Sequence, residues 1–320
     1  MKIHLPNSAF LHNIDGFLRK FDPTNPDILK ITANKNWISV HPLCIAMVAA
    51  LGLKAGTVEC ESFEAKSKHY FERIGLFKIV GIESGITFES HEESGRFIPV
   101  IQIITPEEQS KFIQDIIPML HLQKKYQRDT IVYVLGELIR NVIEHARTPK
   151  GAIVCAQYHK KNNKIRIGIA DTGIGIKSSI TPFYPQATSD LSAIQLALWP
   201  GITGTTENIG GTEQNFGAGL FFTKSIAKAN GDFFMIYSGD SMYKLLREKL
   251  SKRLELNIDP FLDVSSRVTR LPYWQGTIVG IDITLDQTNE FDSLLLALNQ
   301  TLNKAIRDRK RPMFRKPKFV

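Results

Sequence analysis

The sequence predicts an α/β protein of two domains, and three observations predict it. The chain has 320 residues, a length that suggests roughly two domains of about 100–200 residues each. Segments with strand-like and helix-like periodicity interleave along its whole length. A helix-start signal, "TPEEQ" from Thr105, separates a first such series from a second: threonine, then proline in the first turn, then two acids. The expected layout is a small α/β domain over residues 1–104, a larger α/β domain over 105–300, and a basic C-terminal tail over 301–320.

Composition narrows the class. Hydrophobic residues make up 43% and charged residues 22%, values of an ordinary soluble domain that can bury a core without disulfides. Three cysteines, Cys44, Cys60 and Cys155, form no CxxC pair, which predicts reduced thiols in a cytoplasmic protein. The N-terminus "MKIHLPNSAF" has no apolar signal-peptide region. The longest strongly apolar run, "CIAMVAALGL", falls far short of the roughly 20 residues a membrane span needs. No membrane contact is expected. Net charge is +8, and Ile306–Val320 carries +6 of it, from seven basic residues against Asp308. The rest of the chain is close to neutral, which points away from a globally basic nucleic-acid-binding fold and toward a local basic tail.

In the first segment, "ILKITA" (Ile28–Ala33) alternates like a strand. "HPLCIAMVAALGLKAG" reads as a buried helix closed near a glycine, and "SKHYFERIGLF" (Ser67–Phe77) as a second helix ending near Gly75. "GRFIPVIQII" reads as an edge or linking strand. After the Thr105 helix comes the helix around Glu137. A hairpin follows: "GAIVCAQYHK" and "NKIRIGIADTG" joined through "KKNN". A Gly/Thr/Ser-rich stretch then runs from Ile176 to Phe216. "GAGLFFTKSIAKANGD" reads as an amphipathic helix, and "GDFFMIYSGD" and "GTIVGIDITL" as strands. An irregular polar insertion, Ser241–Gln275, is expected between those strands.

Three motifs carry chemistry. Glu137, Asn141 and His145 lie four apart in "VLGELIRNVIEHA", which on an α-helix keeps them within about 80° of one another. A polar stripe on an otherwise apolar helix is costly unless it has partners. In "ADTGIGI", Asp171 ends an apolar strand and is followed by Gly173 and Gly175. A carboxylate there can accept from an exocyclic amine, and the glycines let backbone approach a flat ligand. In "FGAGLFF", Gly217 and Gly219 open a helix, where exposed N–H groups and the dipole favour phosphate oxygens.

The order ExxxNxxxH, DxGxG, GxGL, then "GT" on a last strand resembles the GHKL (histidine-kinase-like, Bergerat-fold) ATPase superfamily over Glu137–Leu285. The resemblance implies a sheet with helices on one face and ATP between them. It implies Glu137 as the general base and Asn141 as the Mg²⁺ ligand. His145 would face the phosphates. Asp171 would bind the adenine amine, in a pocket shaped by Gly173 and Gly175 and with Thr277 supporting the aspartate. Gly217, Ala218, Gly219 and Leu220 would lie beneath the phosphates, and residues 177–216 would form a mobile lid. The chain has no Gly-Lys pair, hence no P-loop. The N-terminal segment resembles a STAS-like domain, on "ILKITA", the helix after "WISVHPL" and "YFERIGLF".

His121 lies 16 residues before Glu137 and is followed by Leu and Gln, not by the pattern of a phosphoacceptor histidine. Only 35 residues follow Leu285, which disfavours a clamp ATPase unless a partner supplies the transducer domain. The resemblance therefore narrows to compact anti-sigma-factor-kinase-like proteins. It implies a Mg-ATP-binding regulatory protein that hydrolyses ATP or phosphorylates a Ser or Thr of a protein partner, STAS-like or other, with homodimerisation as an option. Two alternatives stand beside it: a nucleotide-gated interaction module with little turnover, and, with less support, a nucleic-acid-associated ATPase using the basic tail.

Overall fold

A computed structural model describes residues 1–60, 63, 67–86, 97–120, 122, 124–202, 218–248, 256–285, 296 and 300. His121, Gly217, residues 203–216 of the expected lid and the basic tail 301–320 lie outside the described residues. The protein is mixed α/β with several sheets.

The N-terminal segment runs β1 (Lys2–Leu5), β2 (Ser8–Ala9), α1 (Asp15–Leu18), β3 (Ile28–Ala33), β4 (Ser39–Val40), α2 (Pro42–Lys54), β5 (Thr57–Cys60), α3 (Lys68–Arg73) and α4 (Leu76–Val80). Strands β1, β3 and β5 make a parallel sheet in the order β1-β3-β5, and β2 pairs with β4. The helix expected from Ser67 does end near Gly75, and a further short helix, α4, follows it. Gly75 takes φ +81° between α3 and α4, a left-handed conformation that ends one helical run and lets a second begin at a new angle.

The remainder continues with β6 (Phe97–Ile103), α5 (Pro106–Met119) and α6 (Lys125–Asn141), the last extended by a π-helical turn over Val142–Ala146. Then come β7 (Ala152–His159), β8 (Lys164–Ala170), α7 (Gly175–Ile180), α8 (Asp190–Ala197), α9 (Gly219–Ala229), β9 (Phe234–Gly239), β10 (Ser241–Leu245), β11 (Ser265–Val268) and β12 (Trp274–Thr284). Seven strands form one antiparallel sheet in the order β11-β10-β9-β12-β8-β7-β6. The segment expected as an irregular insertion, Ser241–Gln275, therefore supplies two strands, β10 and β11. The missed signal is in "SMYKL", which follows β9 after one residue, Asp240, and whose every residue is buried. The stretch expected as a lid is also ordered where described. Ile180, Ala187, Ala193, Ile194 and Leu198 are buried in the core, and α7 and α8 pack on β9.

Alternation along the strands explains the layering. Val154, Ala156, Ile165, Ile167, Ile169, Phe234, Ile236, Val279, Ile281 and Ile283 pack with α6, α7 and α8. Ile153, Cys155, Ala170, Met235, Tyr237 and Ile278 face the other way and share a core with α2, β1 and β3. Helix α2 is buried from Pro42 to Leu51, as its all-round apolar sequence requires. It starts cleanly: His41 Nδ1 accepts from Leu43 N–H at 3.1 Å, and Pro42 takes the first helical position. Its start meets the sheet at a cross-strand glycine pair, Gly168 on β8 and Gly280 on β12. A Cβ at 168 would lie 2.1 Å from Leu43 N, and one at 280 would lie 2.6 Å from Leu43 Cδ1. The seven-stranded sheet is thus covered on both faces, and the N-terminal segment is its second cover. Strand β6, from before the expected boundary at 104, forms the sheet's β6 edge.

Candidate functional site

One cleft opens between α6, its π-helical turn, α7, α9 and the ends of β8, β9 and β12. Asn141, His145, Asp171, Gly175, Gly219, Leu220 and Thr277 all line it, with Leu138, Ile169, Ile180 and Val279 supplying apolar wall. It holds about 860 Å³ of space, open mouth included.

Asp171 lies just past the end of β8 and is 2% exposed. Its backbone N–H donates to Thr277 O at 2.9 Å, and its Oδ1 accepts from Gly173 N–H at 2.8 Å. Burial pushes its carboxyl up to about 7 against the pull of these two backbone hydrogen bonds. The aspartate is thus a buried acceptor with capacity left over, at the floor of a mostly apolar cleft. Gly173 does not line the cleft. Its role is packing, since a Cβ there would sit 2.1 Å from Ala146 O, and the neighbouring Ile174 N–H donates to that same oxygen at 2.8 Å. Gly175 opens α7 at φ +78°.

Asn141 ends the α-helical part of α6, and His145 lies in the π-helical turn. The α-helical spacing expected for all three polar residues therefore holds only for Glu137 and Asn141. A π-turn closes i→i+5 bonds and re-aims what it carries, and Asn141 and His145 both reach the cleft. The left-handed Arg147 (φ +50°) then turns the chain away. Asn141 Nδ2 is buried without a hydrogen-bond partner. Burial lowers the His145 pKa, with Glu144 opposing.

Glu137 is not among the residues that line the cleft. Its Oε1 accepts from Arg140 Nη1 at 2.9 Å, and a Cβ at 219 would lie 2.2 Å from its Oε2. It therefore abuts the start of α9, where the helix dipole favours a carboxylate. Burial raises its pKa, Arg140 opposes, and Glu144 adds to the rise. Ala218 is the N-cap of α9 and packs with Phe221 and Phe222. The helix is fixed from behind by Lys224, which is fully buried and paired to Asp263, and by Lys228, 2.6 Å from the same carboxylate.

Residues just before Thr277 complete the site, and sequence reasoning missed them. Trp274 Nε1 donates to Asp171 O at 3.0 Å, and Gln275 Nε2 donates to Gly173 O at 2.5 Å. Gly276 takes φ +112°, with room for a Cβ denied by Asp171 O at 2.2 Å. Ser238 Oγ accepts from Ile176 N–H at 3.0 Å and donates to Gly276 O at 2.7 Å. Only the "GT" pair at 276–277 hinted at this clamp.

No protein-family model matches the chain, and no curated protein matches it significantly. Among the described residues no helix is long and apolar enough to cross a membrane, and no cluster of three or more His, Cys, Asp or Glu side chains could hold a metal by itself.

Proposed function

We propose that the chain binds Mg-ATP in this cleft and works as a regulatory ATPase or protein kinase of the GHKL type. What supports the reading is one observation: residues from three motifs far apart in sequence, Asn141 and His145, Asp171 and Gly175, and Gly219 and Leu220, line the same cleft together with Thr277. In this reading Asp171 accepts from the adenine amine, and the ring lies among Ile169, Ile180 and Val279. The start of α9, an 11-residue helix, faces the phosphates.

Mg²⁺ fits only as a companion of the nucleotide, because the described residues offer no cage of their own. Asn141 would hold it through its amide oxygen, and the unpartnered amide suits a rotation that presents that oxygen. When bound, the ion neutralises phosphate charge. Glu137 takes the proton from an attacking water or hydroxyl as the new phosphorus–oxygen bond forms and the bond to ADP breaks. Its raised pKa makes it a better base than an exposed glutamate. The acceptor is water or a Ser or Thr of a protein partner.

A second reading, a nucleotide-gated interaction module with little turnover, draws on the bond from Arg140, which occupies one oxygen of Glu137. Incubation of the full chain with γ-labelled ATP and Mg²⁺, alone and with candidate partner proteins, separates the readings. Released phosphate or labelled protein supports the enzyme, and stoichiometric binding without either supports the gated module. Absence of binding would contradict both.

A further inference from the structure

We infer that the N-terminal layer positions the nucleotide cleft through Trp274, so that docking of this layer and occupancy of the cleft are energetically coupled. This rests on the nucleotide reading above. Trp274 is buried at the start of β12. Its indole N–H donates to Asp171 O at 3.0 Å, while its ring packs against Phe21 with centroids 5.7 Å apart. Phe21 belongs to the N-terminal layer and is fastened there. Its neighbour Asp22 exchanges backbone hydrogen bonds with Lys2 on β1, at 2.7 and 2.9 Å. One side chain thus joins the N-terminal layer to the residue proposed to hold adenine.

The bridge is stiff on the cleft side. Trp274 Nε1 and Gln275 Nε2 donate to Asp171 O and Gly173 O, Thr277 O accepts from Asp171 N–H, and a Cβ at Gly276 would meet Asp171 O at 2.2 Å. A second connection runs in parallel. The start of α2 sits in the Gly168–Gly280 notch, three residues before Asp171 on β8 and three after Thr277 on β12. Both strands that deliver the cleft floor are supported from behind by the same layer. Loosening the layer frees Trp274 and the 171–173 loop together. A loop that must be re-ordered on binding costs affinity, and by linkage the nucleotide must then tighten the layer by the same factor.

The test uses the full chain in a Trp37→Phe/Trp199→Phe background, which leaves Trp274 as the sole tryptophan of three. Trp274 emission is followed during ATP titration, and amide exchange over residues 15–22 is measured with and without ATP. Two variants cut the bridge at different points, and their ATP affinity is read by isothermal titration, because Trp274→Phe has no emission to follow. Trp274→Phe keeps a ring against Phe21 but has no N–H, and Phe21→Leu keeps the N–H bond but loses the ring contact. At a temperature where circular dichroism matches the parent, each should raise the ATP Kd roughly 5-fold or more. ATP should also slow exchange over 15–22 in the parent and do so less in Phe21→Leu. Parent protein that binds ATP in an Asp171-dependent manner, with unchanged exchange over 15–22 and unchanged affinity in both variants, would overturn the coupling alone. The exchange arm needs no variant, so it decides even if a substitution prevents folding. A parent that binds no ATP would overturn the cleft reading and the coupling with it.

Discussion

Asp171 carries opposite consequences for ligand and fold. Its carboxyl is raised to about 7 by burial, above the ordinary aspartate value near 3.9. A raised acid favours the fold while protonated, so its contribution is present below the unfolded value and is lost as pH rises through about 7. Asp171→Asn should therefore melt higher than the parent at pH 8 without nucleotide. It should also weaken ATP by roughly 1–3 kcal/mol, the scale of a lost charge-assisted hydrogen bond. Scanning calorimetry and titration check the two signs separately. Glu137→Ala should abolish turnover while leaving ATP affinity largely intact, since a base is not needed to hold adenine. A variant that still turns over at the parent's rate would remove Glu137 from that role. The roles proposed for Asn141, Asp171 and Gly219 were legible because each rests on one residue type at a helix end, strand end or helix start. Trp274, Gln275 and Ser238 were not, because their value lies in bonds to residues distant in sequence, 38 to 103 positions away.

At the scale of elements, the same split recurs. Strands β3, β7, β8, β9 and β12 and helices α2, α5, α6 and α9 announce themselves by period and by capping residues. The π-helical turn over Val142–Ala146 does not, because it is stabilised by the 173–174 backbone closing on Ala146 O. Strands β10 and β11 were hidden by polar side chains such as Lys244, which is buried and paired to Asp15, and Ser265. The glycine notch is equally silent in sequence, since Gly168 and Gly280 meet only through strand register. Gly168→Val should push α2 off β8, because even a Cβ would approach Leu43 N to 2.1 Å. A loss of roughly 1–3 kcal/mol or more is expected for such overpacking, read as a lower urea midpoint at constant slope. An unchanged midpoint would mean that α2 does not need the notch.

The whole molecule is layered: parallel sheet, buried α2, seven-stranded sheet, outer helices. The layers on the α2 side meet at a buried polar cluster. His41 Nε2 lies 3.2 Å from Asp282 Oδ1, with Lys164 and Arg166 at 3.9 and 3.7 Å from the same carboxyl group. Burial lowers the His41 pKa despite Asp282, and burial with Arg166 pushes His159 down to about 4. Burial alone would raise Asp282, but His41, Lys164 and Arg166 outweigh it and hold it below the usual range. All three shifts are depressions, so each stabilises at neutral pH. The histidine contributions fade as pH falls below the unfolded value near 6.5, and the carboxylate contribution fades at lower pH. Asp171 and Glu137, both raised by burial, act in the opposite sense over this window, so the cluster is read as a difference: relative to the parent, His159→Gln should lose less of its unfolding midpoint between pH 6.5 and 4. An equal pH dependence in the two proteins would mean that His159 is not titrating with unfolding.

The central claim is that the cleft between α6, α7 and α9 holds an adenine nucleotide on Asp171. Isothermal titration of ATP with Mg²⁺ into the full chain and into Asp171→Asn tests it most directly. One site per chain in the parent is predicted, weakened at least about 5-fold in the variant, with both proteins equally folded. Equal affinity in the two, or no heat of binding in the parent, would contradict it.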